Sequence, residues 1–155
     1  MSEPLWLSAT EQELWLEFRE FLWGFPSAMD RQLNHDAGLS TGEYSVLAAV
    51  SEADESRMRS GDLACALKWD RSRVSHLLRR MEAKGLISRC AASGDGRGQD
   101  IMLTDSGWET VRATAPDHVT FVRETLFDSI STDEQEQLRT ILNKIRTAVV
   151  ERELW

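Results

Sequence analysis

Arg71, Ser72, Arg73, Ser75, His76 and Arg79 interleave with apolar residues at a helical period. Val74, Leu77, Leu78 and Met81 stand at i, i+3, i+4 and i+7, so a helix through them buries one face. The polar side chains must then project largely toward solvent. Arginine can pair with O6 and N7 of guanine, while Ser and His exchange hydrogen bonds with bases or phosphates. The chemistry on offer is that of a helix entering a DNA major groove. A solvated surface helix is the plain alternative, and the surrounding segments decide between the two.

The stretch Ser93-Gly94-Asp95-Gly96-Arg97-Gly98 is turn chemistry from end to end. Its glycines let the backbone approach a phosphate wall closely. Arg97 on such a thin loop suits a minor groove, where the negative potential is strongest, and Asp95 beside it can hold the side chain extended. An ordinary surface ion pair would contribute little.

Catalytic arrangements do not emerge. The sequence has no phosphate-cradling loop and no paired acids with a cleft to serve. His35, His76 and His118 share no metal-ligand spacing with one another or with Cys65 and Cys90, and no cofactor is expected. Two cysteines make no disulfide framework and point to a reducing cytoplasm. Met1-Ser2-Glu3-Pro4 lacks a basic leader region, and no apolar run approaches the roughly 20 residues of a membrane helix.

Charge sharpens the reading. The 155-residue chain carries a net charge of −8, an unpromising value for a nucleic-acid ligand. From Arg57 to Arg97, however, ten Lys/Arg face four Asp/Glu, a surplus of six positive charges; elsewhere eight bases face 22 acids, a surplus of fourteen negative ones. A basic middle within an acidic body fits a DNA-reading module on an acidic scaffold.

The elements that position these residues follow from periodicity. Residues 11–36 read as a long helix with Thr10 as N-cap; Trp15, Phe18, Leu22, Phe25, Met29 and Leu33 form its stripe, Pro26 is expected to kink or break it, and Gly38 ends it. That stripe is long for one small domain to cover, which suggests a dimer interface beside the internal core. Ser40 to Glu52 is a second helix opened by the capping-box spacing Ser40…Glu43. Arg57-Met58-Arg59 reads as a short strand. Ser60 should cap a third helix, Lys68-Trp69-Asp70 turns the chain, and Asp70 caps the helix from Arg71 to Lys84, terminated at Gly85. Residues 86–91 and 100–104 form the arms of a hairpin. Thr104 caps a fifth helix that Pro116 should bend, and the box Ser131…Glu134 starts a last helix whose apolar face is Leu138, Ile141, Leu142, Ile145 and Val149. The fold class is mainly α with a small β-hairpin wing: a winged helix-turn-helix between terminal dimerisation helices.

Several motifs then fall in order. Leu63-Ala64, Trp69-Asp70-Arg71-Ser72-Arg73-Val74-Ser75-His76, Arg80-Met81-Glu82-Ala83-Lys84-Gly85-Leu86-Ile87-Ser88-Arg89, Asp95-Gly96-Arg97 and Leu103-Thr104-Asp105-Ser106-Gly107 resemble the MarR family of bacterial transcriptional regulators. Gly38-Leu39-Ser40 with Tyr44-Ser45-Val46-Leu47, and Ser131 to Gln135, extend the resemblance over almost the whole chain. It implies one domain over 1–155, with 11–36 and 105–155 as dimerisation helices and 40–104 as the DNA-binding winged helix-turn-helix.

The resemblance further implies a cytoplasmic homodimer bound to a pseudo-palindromic double-stranded operator, usually repressing, and released by a small aromatic or lipophilic effector. Arg71, Ser72, Arg73, Ser75, His76 and Arg79 would lie on the recognition helix. Arg97, oriented by Asp95, would enter the minor groove, and Lys68 and Arg89 would neighbour phosphates. An effector pocket would fall near Trp15, Arg19, Trp23 and Tyr44, although a Trp stripe at helical spacing is more often core. Cys65, on the outer side of the third helix, and Cys90, in the first wing strand, leave open a thiol-based redox sensor. A winged-helix module that docks a protein is another alternative; it would expose apolar anchors in place of the cationic face.

Overall fold

The computed structural model describes residues 6–91 and 98–152. The chain runs α1 (Ala9–Ala37), α2 (Thr41–Glu52), β1 (Arg57–Arg59), α3 (Ser60–Leu67), α4 (Arg71–Ala83), β2 (Ile87–Ala91), β3 (Gln99–Leu103), α5 (Asp105–Val122) and α6 (Thr132–Glu151). One π-helical turn, Arg123–Phe127, extends α5. The strands form one antiparallel sheet in the order β1-β3-β2, with Arg57 opposite Met102 and Ile87 opposite Leu103. The expected winged helix-turn-helix is present. Asp95 and Arg97 fall outside the described residues.

Local chemistry sets most boundaries. Ser40 and Glu43 close a reciprocal box at α2, and Ser131 and Glu134 do so at α6. Gly38 ends α1 in the left-handed conformation, φ +65°, where glycine has no steric penalty. Three expectations are corrected. The α1 N-cap is Ser8, not Thr10: Ser8 and Glu11 satisfy each other's backbone N–H groups, and Thr10 lies inside the first helical turn. Pro26 does not break α1; Pro26 and Leu22 are both exposed, so the Leu22 carbonyl it orphans can meet water. Ser60 is the first residue of α3 rather than its cap, a position held by Arg59 with no capping bond from its side chain.

The core lies almost wholly in the middle of the chain. Val46, Leu47 and Val50 of α2, Leu63 of α3, Val74, Leu78 and Met81 of α4, and Ile87 and Ile101 of the sheet are all 2% exposed or less. Among the described residues α1 contributes only Leu33 to the buried set, and α6 contributes none. Their apolar stripes face outward: Leu14, Trp15, Phe18, Phe21, Leu22 and Trp23 on α1, and Ile141, Leu142 and Ile145 on α6, are exposed.

Polar ties fix the reading module to its frame. Asp30 of α1 accepts from the Thr41 backbone N–H at 2.8 Å and from its hydroxyl at 3.0 Å, which holds the Asp30 carboxyl below its usual range. Lys84, just past α4, donates to Glu43 of α2 at 2.6 Å. Thr104 accepts from Gly107 N–H at 3.0 Å as the α5 cap and donates to the Gly85 carbonyl at 2.6 Å. At Gly107 a Cβ would sit 2.0 Å from the Leu86 carbonyl oxygen, so only glycine lets α5 approach the end of α4 this closely.

Candidate nucleic-acid interface

The buried face of α4 is the one its periodicity implies: Val74, Leu77, Leu78 and Met81 are buried. Arg71, Ser72, Arg73, Ser75, His76 and Arg79 are all exposed, so the six candidate reading residues share the outer surface of one helix. Asp70 holds the N-cap position in extended backbone, and its carbonyl accepts from Val74 N–H at 3.1 Å, but its side chain makes no capping bond.

Backbone hydrogen bonds close the turn before α4. Lys68 adopts φ +55°, and Trp69 N–H donates to the Ala64 carbonyl at 3.0 Å. Lys68 is exposed there and lines a cleft of about 510 Å³ with Cys65, Trp69, Arg71 and Arg73. A second cleft, about 410 Å³, lies at the root of the wing between Arg59 and Ser60 of α3's start, Arg71 and Ser75 of α4, and Arg89 of β2, with Asp62 as its acid. Guanidinium and hydroxyl groups on three sides of one concavity suit a phosphate oxygen.

Arg89 has a further commitment. It donates from Nε to Glu82 Oε2 at 2.8 Å, with a second charge-assisted bond from Nη2 to the same oxygen, and reaches Gln99 at 3.4 Å. These bonds lower the Glu82 carboxyl from its ordinary value and raise Arg89 in return. The pair ties the wing to the recognition helix, so Arg89 is at least as much a brace as a surface cation.

The four residues singled out for a ligand lie on two helices. Trp15, Arg19 and Trp23 line up along α1, with the Arg19 guanidinium 4.9 Å from the Trp23 ring centroid. Tyr44 sits on α2 with its ring 4.5 Å from that of His118 of α5. His118 also bonds Gln32 of α1 at 3.0 Å, and its burial pushes its pKa down. Cys65 and Cys90 are both exposed free thiols. The described residues contain no group of three or more candidate metal ligands and no helix long and apolar enough to cross a membrane.

Sequence reasoning missed two features. Trp69 was read as part of a turn, yet it packs on the core and lies under the Arg73 guanidinium, 4.1 Å from ring centroid to Cζ. The four-residue spacing was the available signal. Lys84 was read as a helix end, and nothing local announces its bond to Glu43, 41 positions away.

Comparison with known proteins places this geometry in a family. The model of the MarR family matches residues 37–98. The crystal structure of Sco3205, a MarR family transcriptional regulator from Streptomyces coelicolor, in complex with DNA, superposes with a TM-score of 0.90 at 37% identity, over 96% of this chain and 93% of that one. AbsC, a MarR family transcriptional regulator from the same organism, superposes with a TM-score of 0.90 at 33% identity, over 96% and 99%. The transcriptional repressor MprA of Escherichia coli strain K12 is 25% identical over 108 residues, 70% of this chain. This chain spans about 61 to 66% of the length of the first curated relatives it matches. With more than a third of its residues identical to Sco3205 across nearly the full length of both chains, this chain belongs to the MarR family.

Proposed function

We propose that the chain is a homodimeric, double-stranded-DNA-binding transcriptional regulator, a repressor that reads a pseudo-palindromic operator and leaves it when a small aromatic or lipophilic effector binds. The observation that carries the reading is α4: four apolar side chains buried on one side, and three arginines, two serines and a histidine exposed on the other. Arg71, Ser72, Arg73, Ser75, His76 and Arg79 enter the major groove. Arg97, oriented by Asp95, enters the minor groove, and Lys68 and Arg89 lie beside phosphates, with Arg59 and Ser60 sharing the cleft at the wing root. Among relatives, Sco3205 has been crystallised with DNA and MprA is a repressor, which supports the same role here.

The terminal helices support the dimer. Ile141, Leu142 and Ile145 of α6 are 51%, 50% and 47% exposed, so completing the burial of each stabilises association by about 0.7 to 1.5 kcal/mol. Two-fold symmetry also suits a palindrome, whose half-sites lie roughly 34 to 36 Å apart. Trp15, Arg19, Trp23 and Tyr44 are the residues proposed near the effector.

The test is a salt titration of binding to the duplex upstream of the chain's own gene, with a panel of aromatic acids added afterwards. Affinity should fall steeply, with a slope of about −0.9 per neutralised phosphate. Binding that ignores salt, or no binding to any duplex at 50 mM salt, overturns the reading. Exposed Cys65 beside Lys68, Arg71 and Arg73 motivates the second reading, a thiol switch. Loss of DNA binding after mild peroxide, abolished by Cys65→Ser, would favour it; unchanged binding removes it.

A further inference from the structure

We infer that Trp69 is a positioning residue for base readout: its indole face holds the Arg73 guanidinium in place before DNA arrives, which makes Arg73 the residue on α4 whose contact is fixed in advance. The inference rests on the DNA-reading role proposed above.

Trp69 is itself held firmly. Its backbone N–H is bonded to Ala64 at the end of α3, and its ring lies against the core. A Cβ at Gly42 would meet the far edge of the indole at 3.5 Å and Leu77 Cδ2 at 3.4 Å, so the ring fills the corner between the starts of α2 and α4. One face remains, and Arg73 lies over it at 4.1 Å. Beyond this pair a hollow of about 260 Å³ opens, lined by Trp69, Arg73, His76, Leu77 and Arg80.

Stacking and base pairing use different parts of a guanidinium. Its flat face takes the ring quadrupole, and its N–H groups point outward in the plane, where a guanine O6 and N7 would accept two of them. Arg73 is exposed, and among the described residues it has no carboxylate partner to compete for those N–H groups. An arginine on a bare helix surface must lose most of its rotamer freedom when it docks on a base. Arg73 has lost part of it already, in the free protein. Among the described residues Arg71 and Arg79, on the same exposed surface, lie over no ring, and their docking carries the full ordering cost.

The experiment is a double-mutant cycle on affinity for a duplex selected by the wild-type protein from a random 30-base-pair pool, with a scrambled duplex as control. Trp69→Leu keeps an apolar side chain in the corner and removes the ring; Trp69→Phe keeps a ring. Trp69→Leu should weaken binding to the selected duplex by about tenfold, leave the scrambled duplex nearly unaffected, and cost less than twofold more once Arg73→Ala is present. Trp69→Phe should recover most of the loss. If Trp69→Leu costs the same with and without Arg73, or weakens both duplexes equally, Trp69 acts only by supporting the fold and the inference is overturned. If the wild-type protein selects no duplex at all, the DNA-reading role itself fails, and the inference with it.

Discussion

Lys84→Met probes the tie between α4 and α2. The Glu43 side chain is 5% exposed, and its carboxylate accepts from Lys84 Nζ at 2.6 Å and from the Ser40 backbone N–H at 2.9 Å. Breaking a fully buried ion pair by removing one partner costs about 3 to 5 kcal/mol, and breaking an exposed one costs at most about 1. Here one end is buried, while the Lys84 side chain is 52% exposed and partly screened by water, so the loss should fall between, near 2 kcal/mol. Methionine retains most of the aliphatic stem, so packing contributes little to the difference. With a urea m-value of about 2 kcal/mol/M, the unfolding midpoint should drop by about 1 M at fixed protein concentration. The pH dependence gives a second reading of the same bond. Burial alone would raise the Glu43 pKa, but the hydrogen bond from Lys84 and that from Ser40 N–H outweigh it and lower the value. A depressed folded pKa stabilises above the unfolded value and is lost as pH falls through the folded one. Lys84→Met removes the Lys84 hydrogen bond and charge, so the Glu43 pKa rises above its wild-type value, and the gap between variant and wild type should be widest near pH 7 and close as pH falls below about 4.5. A midpoint within about 0.2 M of wild type at pH 7, or a gap that persists into acid, would refute the assignment of Glu43 as a charged, Lys84-dependent anchor.

Other sites offer independent checks. Gly107→Ala places a Cβ against the Leu86 carbonyl and should destabilise by about 3 kcal/mol, measured by urea unfolding, whereas Gly85→Ala at φ +74° should cost only about 1. Paired Ile141→Glu and Ile145→Glu substitutions on α6 should convert the proposed dimer to monomer in sedimentation velocity while leaving the far-ultraviolet circular dichroism unchanged. His118 has its folded pKa lowered by burial, so the folded chain favours the neutral ring; stability should fall as pH drops from about 7.5 through the unfolded value near 6.5 to the folded one. His118→Phe, which keeps a ring against Tyr44, should flatten that slope, and an unchanged slope would exclude His118 as its source.

What could be read from the sequence was what depends on short spacing. The boxes Ser40…Glu43 and Ser131…Glu134 join residues three apart, and the two-faced character of α4 repeats within two turns. Even at this range competition mattered: Ser8…Glu11 and Thr10…Glu13 offer the same spacing, and the helix closes its box on Ser8 and Glu11. Contacts between distant segments left no local trace. Gln32 and His118 are 86 positions apart, and each is an unremarkable polar residue on its own helix. Arg89 looked like a surface cation because its acid, Glu82, sits on a different element. The ring contact between Tyr44 and His118 joins residues on different helices and likewise left no local trace.

The same distant contacts govern what the recognition helix can do. Its start is held by the Trp69 turn, and its end by Lys84 on Glu43 and by Thr104 on the Gly85 carbonyl. Since Glu43 belongs to α2 and Thr104 opens α5, α4 cannot rotate alone without breaking charge-assisted or short hydrogen bonds. α2 is in turn fastened to α1 through Asp30 and Thr41, and α5 to both through His118, Gln32 and Tyr44. In the proposed dimer the separation of the two reading helices is therefore set by how α1 and α5 lie against each other, far from any base. A shift of a few ångströms there would be carried to α4 almost undiminished and would take the pair off the roughly 34 Å repeat of the duplex. The aromatic contact of His118 on Tyr44 lies where α1, α2 and α5 meet, so a shift there would alter DNA affinity without touching a residue proposed to meet DNA.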